Sequence, residues 1–293
     1  MLADARWTGD INSVAFTVFG KDIAWYGIII TFGMLVGLLL GILRAKKLNI
    51  KSDDIMELFI VVIPFAIVFA RLGYVVFRPD EFFVPNFKFE DFIDIIAVWD
   101  GGLTIMTGVP GGILGGYIWS KWRKYDFVTI ADTILPVVLV SQAIGRWGNF
   151  FNQEIYGMPI TDPRWQFFPV AVFIKSRNGF FQAAFFYEMV LNLLFFAIIM
   201  IILKRLNVKG AGLLSYTFAY PLIRFIMEFI RDDLGFYRGI NYTQIICIII
   251  AVLSLAGIVT LSVLKAKKGQ KVWYPKGIPQ SELPNPKLEP KKA

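Results

Sequence analysis

The chain contains no histidine among its 293 residues and a single cysteine, Cys247. The first absence excludes any mechanism that needs an imidazole of the protein's own as general base, proton shuttle or metal ligand. The second excludes an intrachain disulfide and leaves Cys247, inside an apolar run, as a small core residue. Charge is scarce as well, at 18% Asp, Glu, Lys and Arg. The N-terminal MLADARWTGDINS lacks a basic start followed by an apolar core, so it does not read as a cleaved secretory signal. The chain is rich in apolar side chains: 56% hydrophobic, 16% aromatic, with a mean hydropathy of +0.60. That balance excludes an ordinary soluble domain and points to a polytopic membrane protein. The net charge of +8 does not indicate nucleic acid, because the basic residues sit in short loops between apolar segments and therefore report topology.

A spanning helix needs about 20 mostly apolar residues. Candidates lie at Trp25–Leu43, Ile55–Phe77, Leu103–Trp119, Phe127–Ile144, Phe180–Leu203, Gly212–Ile230 and Tyr242–Leu264. The expectation is thus an all-α integral membrane protein of about seven transmembrane helices. The third segment is rich in glycine and carries Pro110, a composition that suits a broken or re-entrant helix buried in protein or lining a cavity. Three loops are basic: Arg44, Lys46, Lys47 and Lys51; Lys121, Arg123 and Lys124; Lys204, Arg205 and Lys209. The positive-inside rule places these in the cytoplasm, with the N-terminus outside and the C-terminus inside. Residues 1–268 form one polytopic domain. Residues 269–293, rich in Pro and Lys, read as a disordered basic cytoplasmic tail.

Charges inside apolar runs are costly, roughly 2.5–3.5 kcal/mol each at a helix centre, and normally pair or face a cavity. Arg71, Asp132, Glu188, Arg224 and Glu228 are such groups. For Asp132 and Glu188 a structural ion pair and a functional role stand on equal footing. Tyr220, Arg224, Glu228 and Arg231 follow spacings that place them on one helical face. One glutamate cannot neutralise two arginines, so a positive pocket suited to a phosphate group is expected there.

The run Gly145–Gly157, GRWGNFFNQEIYG, sets Arg146, Asn149, Asn152 and Glu154 at the end of an apolar segment, with Gly145 and Gly148 allowing close backbone approach. Taken alone, Asn149 and Asn152 suit helix-end capping. The run matches every fixed position of G-R-x-G-N-F-x-N-x-E-x-x-G, and in this it resembles the signature of the prolipoprotein diacylglyceryl transferases. The resemblance extends to Trp25-Tyr26-Gly27, ARLGY at Ala70–Tyr74, WDGG at Trp99–Gly102, Asp132, Tyr187-Glu188, Gln244, and the run from Arg224 to Arg231 as R-F-x-x-E-F-x-R. It covers nearly all of the membrane part.

The resemblance implies a reaction. A diacylglyceryl group passes from phosphatidylglycerol to the thiol of a lipobox cysteine in a prolipoprotein signal peptide, giving a thioether and glycerol phosphate. It also implies a bacterial cytoplasmic membrane location, no cofactor and no metal. Carried over residue by residue, it makes Arg146, Arg224, Glu154, Tyr26 and Tyr220 the catalytic candidates. Arg146, Asn149, Asn152, Gly157, Glu228 and Arg231 become the substrate-binding candidates. Among Glu154, Glu228, Tyr26 and Tyr220 the proton acceptor stays open. Two departures stand out. Where the family often carries His-Gly-Gly, this chain has Met106-Thr107-Gly108, and where it often carries His-Pro before the Tyr-Glu pair, this chain has Gln182-Ala183. They keep two alternatives in view: a non-catalytic relative that binds phosphatidylglycerol or prolipoproteins, and, from the many crossings alone, a transporter.

Overall fold

The computed structural model describes residues 11–82, 89–98, 101–231, 236–237 and 240–287. Trp99 and Asp100 of the WDGG run, the side chains of Glu90 and Asp91, and the last six residues of the tail lie outside the described residues. Among the described residues the dominant elements are helices: α1 (Trp25–Ala45), α2 (Ser52–Phe77), α3 (Pro79–Phe82), α4 (Phe89–Ile96), α5 (Ile105–Trp122), α6 (Phe127–Asn152), α7 (Ala184–Leu203), α8 (Ala211–Met227) and α9 (Tyr242–Lys267). Five of them, α1, α2, α6, α7 and α9, are long and apolar enough to cross a membrane, and α8 is a shorter apolar helix. Many of their large apolar side chains point outward, among them Phe32, Ile60, Leu194 and Leu253. A bilayer solvates such surfaces.

The chain is mostly helical, consistent with an all-α integral membrane protein. Three antiparallel hairpins accompany the helices: β1 (Val14–Val18) with β2 (Lys21–Ala24), β3 (Ala171–Ile174) with β4 (Gly179–Gln182), and the short β5 (Phe236–Tyr237) with β6 (Ile240–Asn241). The β3–β4 register pairs Ala171 with Gln182 and Ile174 with Gly179. Phe180–Gln182, expected to open the fifth crossing, is therefore strand, and the helix starts at Ala184. The adjacent Phe180 and Phe181 suit a strand as well as a helix, because a short apolar run does not separate the two.

The chain divides into two compact units. One comprises Met1–Gly41 with Ala131–Leu283, the other Ile42–Ile130 with Pro284–Ala293. In the second unit, α2 and α5 pack through glycine. A side chain at Gly111 or Gly115 would collide with Phe69 and Phe65 of α2, so the glycines exist for helix contact. The third segment is one continuous helix through Pro110 rather than a broken one. Pro110 is the sixth residue of α5 and removes one intrahelical hydrogen bond, the one to the Met106 carbonyl. Arg71, expected to meet an acid or a cavity, is held by main chain instead. Its guanidinium donates to the carbonyls of Asp94, Ile95 (3.0 Å), Gly101 (2.7 Å) and Gly102 (3.1 Å). The rings of Tyr74 and Phe82 lie 5.5 and 5.2 Å away. At the basic loop of this unit, the Tyr125 hydroxyl donates to Asp54 Oδ2 at 2.5 Å and Arg123 to Oδ1 at 2.7 Å. Burial first, and this bond second, hold the Tyr125 phenol above its ordinary range.

In the first unit, α6, α7 and α8 share a core of Leu139, Ala184, Ile199, Ala219, Ile223 and Met227. Asp132 settles into this unit as a cap. Its carboxylate accepts from the backbone N–H of Gly210 (2.6 Å) and of Leu213 (2.8 Å) at the start of α8, where first-turn amides lack intrahelical partners. The tail beyond residue 269 does not read as disorder over its described length. Asn207 and Val272, Tyr274 and Arg205, and Ile278 and Lys204 join by backbone bonds of 2.9–3.0 Å, and Tyr274 is buried. Composition counts the Pro and Lys of this stretch and is blind to Trp273 and Tyr274, whose aromatic surface supports its ordering.

Candidate functional site

The site lies in the first unit, where the signature begins as helix. α6 runs on to Asn152, so Arg146 and Asn149 stand on its last turns, and the apolar segment and the signature are one element. The chain then turns sharply. Gln153 and Ile155 have φ of +50° and +55°, a left-handed conformation rare for a β-branched residue and costing about 1–3 kcal/mol where it occurs. The turn folds Glu154 back over the helix end, with its N–H on the Asn149 carbonyl at 3.0 Å.

Three side chains become one network. Arg146 Nη1 donates to Asn149 Oδ1 at 3.2 Å, and Asn149 Nδ2 donates to Glu154 Oε1 at 2.8 Å. Asn152 Nδ2 reaches the same carboxylate oxygen at 3.4 Å. Asn149 is buried, and its amide links a cation to an anion instead of capping α6. The other side of Arg146 faces α7, with Nη2 2.5 Å from Glu188 Oε1. The Glu188 side chain is 2% exposed and that of Arg146 is 21% exposed. Burying a carboxylate this deeply is tolerable only with such a partner. Glu188 belongs to the site by this contact, although the sequence reading left its role open. The signal was its position as an acid in an otherwise apolar run.

On α8, Arg224 Nη2 lies 3.0 Å from Glu228 Oε2, and Asn241, at the start of α9, donates to Glu228 Oε1 at 3.1 Å. Asn241 escaped the sequence reading because it is remote in sequence and shaped like an ordinary helix cap, which it also is, accepting from Gln244 N. The helix ends at Met227, so Arg231 does not share a helical face with Tyr220, Arg224 and Glu228. It stands beside Gly157 in an antiparallel bridge. That bridge explains Gly157: a Cβ there would come within 2.9 Å of Gln182 and Ile230. Arg146 and Arg224 each face a carboxylate of their own, Glu188 and Glu228.

The aromatic candidates stand on α1 and α8. Tyr26 is the second residue of α1, and its ring takes the space a side chain at Gly148 would need. It lies within electrostatic reach of Glu154 and Arg146. Trp25 stacks on Phe151 at 5.1 Å. Tyr220 stacks on Tyr216 at 6.1 Å, and Gln142 Nε2 donates to the Tyr216 hydroxyl at 3.0 Å. Below the turn, Trp147, Phe150, Phe168 and Phe185 form a ring cluster, while Trp165 and Phe167 remain exposed. Met106 belongs to the other unit and is 75% exposed on α5. Among the described residues no group of three His, Cys, Asp or Glu side chains forms a metal site.

Chemically, the arrangement offers guanidinium groups held in fixed orientation, buried acceptors beside them, and an exposed carboxylate in Glu154 whose hydrogen-bond partners are amides rather than a cation. Comparison with known proteins agrees with the signature. A family model described as prolipoprotein diacylglyceryl transferase matches residues 13–260. A Clostridium perfringens protein named phosphatidylglycerol–prolipoprotein diacylglyceryl transferase 1 is 34% identical over 267 residues, 89% of this chain and 98% of its own length. Relatives with the same enzyme name from Clostridium novyi and Oceanobacillus iheyensis are 34% and 35% identical, over 84% and 85% of this chain and 94% and 88% of their own. The chain belongs to the prolipoprotein diacylglyceryl transferase family.

Proposed function

We propose that this protein transfers the diacylglyceryl group of phosphatidylglycerol to the thiol of a lipobox cysteine in a prolipoprotein signal peptide, in a bacterial cytoplasmic membrane. The observation that carries the reading is the network of Arg146, Asn149, Glu154 and Glu188, assembled from the signature run and α7. The thiolate sulfur attacks the diacylglyceryl carbon bonded to the phosphate oxygen. The C–O bond breaks, and glycerol phosphate leaves with the electron pair. Arg146 and Arg224 hold the phosphate as its charge develops. Fixed donors are worth most at that point because they need no reorganisation. The same cations favour thiolate on the incoming cysteine.

The thiol proton needs an acceptor other than imidazole. Glu154 suits this role best, because Glu228 is engaged by Arg224 and Asn241 and a carboxylate facing arginine is a weak base. Tyr26 and Tyr220 line the approach, and Arg231 and Asn152 complete the polar rim. The five long spans together with α5 and α8 make seven crossings. At 1.5 Å per residue α5 is about 27 Å long, close to the hydrocarbon thickness. The N-terminus lies outside and the tail in the cytoplasm, by the basic loops.

The test is direct. Purified protein incubated with phosphatidylglycerol and a lipobox peptide should add the diacylglyceryl mass to the peptide and release glycerol phosphate. A second reading, a lipid-binding relative without turnover, rests on Met106 in the place of the family's histidine. Binding of phosphatidylglycerol without mass gain, with activity restored by Met106→Ala only if side-chain bulk is the obstacle and by Met106→His if imidazole is, would favour it.

A further inference from the structure

Glu188 Oε2, Asn192 Oδ1 and Gln142 Oε1 are buried acceptors without a hydrogen-bond partner among the described residues. Their locations are related. Gln142 sits one turn before Arg146 on α6, and Asn192 one turn after Glu188 on α7. Each of the two helices thus carries one member of the ion pair and, one turn further into itself, an amide. Both amides have used their donors elsewhere. Asn192 Nδ2 bonds the Glu188 carbonyl at 2.8 Å, and Gln142 Nε2 bonds the Tyr216 hydroxyl at 3.0 Å. The Glu188 carbonyl only accepts, which fixes Asn192 with its oxygen as the group left over; the Tyr216 hydroxyl both donates and accepts, so its bond occupies one amide atom of Gln142 and leaves the other over. Glu188 Oε1 is likewise taken by Arg146, leaving Oε2. Asn192 is 0% and Glu188 1% exposed. Buried acceptors are nearly always satisfied in native structures, and an orphan is costly. Glu188 and Asn192 stand four residues apart on one face of α7, Gln142 stands four residues before Arg146 on α6, and the Arg146–Glu188 pair links the two positions. Arg146 Nε, also buried and unpartnered, adds a single donor beside it.

A ligand that complements this set brings hydroxyl donors to the three oxygens and an anionic oxygen to Arg146 Nε. A phosphodiester esterified to a polyol does both. We infer that Glu188, Asn192 and Gln142 read the hydroxyls of the lipid head group and so select a polyol phospholipid over one with the same charge and no hydroxyl. The inference rests on the reading of this site as phosphatidylglycerol-binding, and it assigns the discrimination to residues outside the signature run. A site built to accept hydroxyl hydrogen bonds discriminates strongly against an analogue that lacks them, because its acceptors are then left unpaired.

The test compares phosphatidylglycerol with phosphatidylmethanol, which carries the same single charge without hydroxyls. Both are titrated onto the detergent-solubilised full chain, with binding read by native mass spectrometry and transfer read on a lipobox peptide. The wild-type protein should favour phosphatidylglycerol at least about tenfold, the worth of one good hydrogen bond. Asn192→Leu should bring that ratio severalfold closer to one, and so should Gln142→Met, which acts from the other helix and carries the test if Asn192→Leu does not fold. A wild-type protein that binds the two lipids equally overturns the inference, as does an unchanged ratio in the folded variants. A protein that discriminates in binding, loses this in the variants and yet transfers nothing leaves the inference standing and removes the enzymatic reading.

Discussion

Replacing Arg146 by lysine separates the chemistry of this position from its structural duty. Arg146→Ala would strip Glu188 of its partner 2.5 Å away, and an uncompensated buried charge costs about 3–5 kcal/mol. With the arginine side chain 21% exposed, the lower end of that range applies. Loss of activity in the alanine variant would therefore mix unfolding with catalysis. Lysine keeps the charge beside Glu188 but has one nitrogen where arginine uses separate nitrogens for Asn149 and Glu188 and holds Nε in reserve. A point charge does not reproduce a planar fork. Losing a preorganised donor to developing charge costs about 2.7–4 kcal/mol, or roughly 100- to 1,000-fold in rate. The expected outcome is a protein that unfolds within a few degrees of wild type in detergent but adds diacylglyceryl to a peptide at least about a hundredfold more slowly. The double variant Arg146→Met with Glu188→Leu should recover stability relative to Arg146→Ala, since apolar replacement of a buried pair is often neutral, and should remain inactive. Near-normal turnover of Arg146→Lys, or any turnover in the double variant, would refute the phosphate-holding role.

Other outcomes follow from the same structure. Reporter fusions after Lys47, Lys124 and Lys209 should all signal the cytoplasm, and an external signal from any of them breaks the threading. The transfer rate should rise with pH through the titration of the substrate thiol, near 8.5, with no step near 6.5, because no enzyme imidazole exists to titrate; an inflection near 6.5 would require another group with a strongly displaced pKa. Asp132→Ala should lower the unfolding midpoint by the loss of the α8 cap, about 1–2 kcal/mol, and the peptide and lipid concentration dependence of the remaining folded enzyme should be unchanged.

Much of this molecule was legible in advance, for identifiable reasons. The long apolar runs set the spans because a bilayer imposes length and hydropathy directly. The signature set Arg146, Asn149 and Glu154 together because they are neighbours on one helix end and its turn. What escaped was non-local. That Glu188 would meet Arg146, and Asn241 would meet Glu228, depends on which helix packs beside which, and no period in the sequence encodes it. The end of α8 at Met227 escaped because the apolar pattern continues through Phe229 and Ile230, although the chain leaves the helix to pair with Gly157. Asp132 showed only that something had to offset its charge. The N-terminal amides of α8 do so, and a sequence lists no backbone donor as available.

The grip on Arg71 has an evolutionary consequence. Its four acceptors are peptide carbonyls, and every residue type supplies one. Asp94 and Ile95 are therefore free to drift without weakening the contact. Gly101 and Gly102 are fixed only by their positive φ of +85° and +65°, and Gly102 also by the closeness of the guanidinium and of the Tyr74 ring. Position 71 has no such latitude, since lysine lacks the donors to replace a fork that serves four oxygens. Across relatives this contact should appear as one constant arginine facing partners that change independently of it. Methods that locate contacts from paired substitutions will pass over it, however tightly it holds the segment to α2.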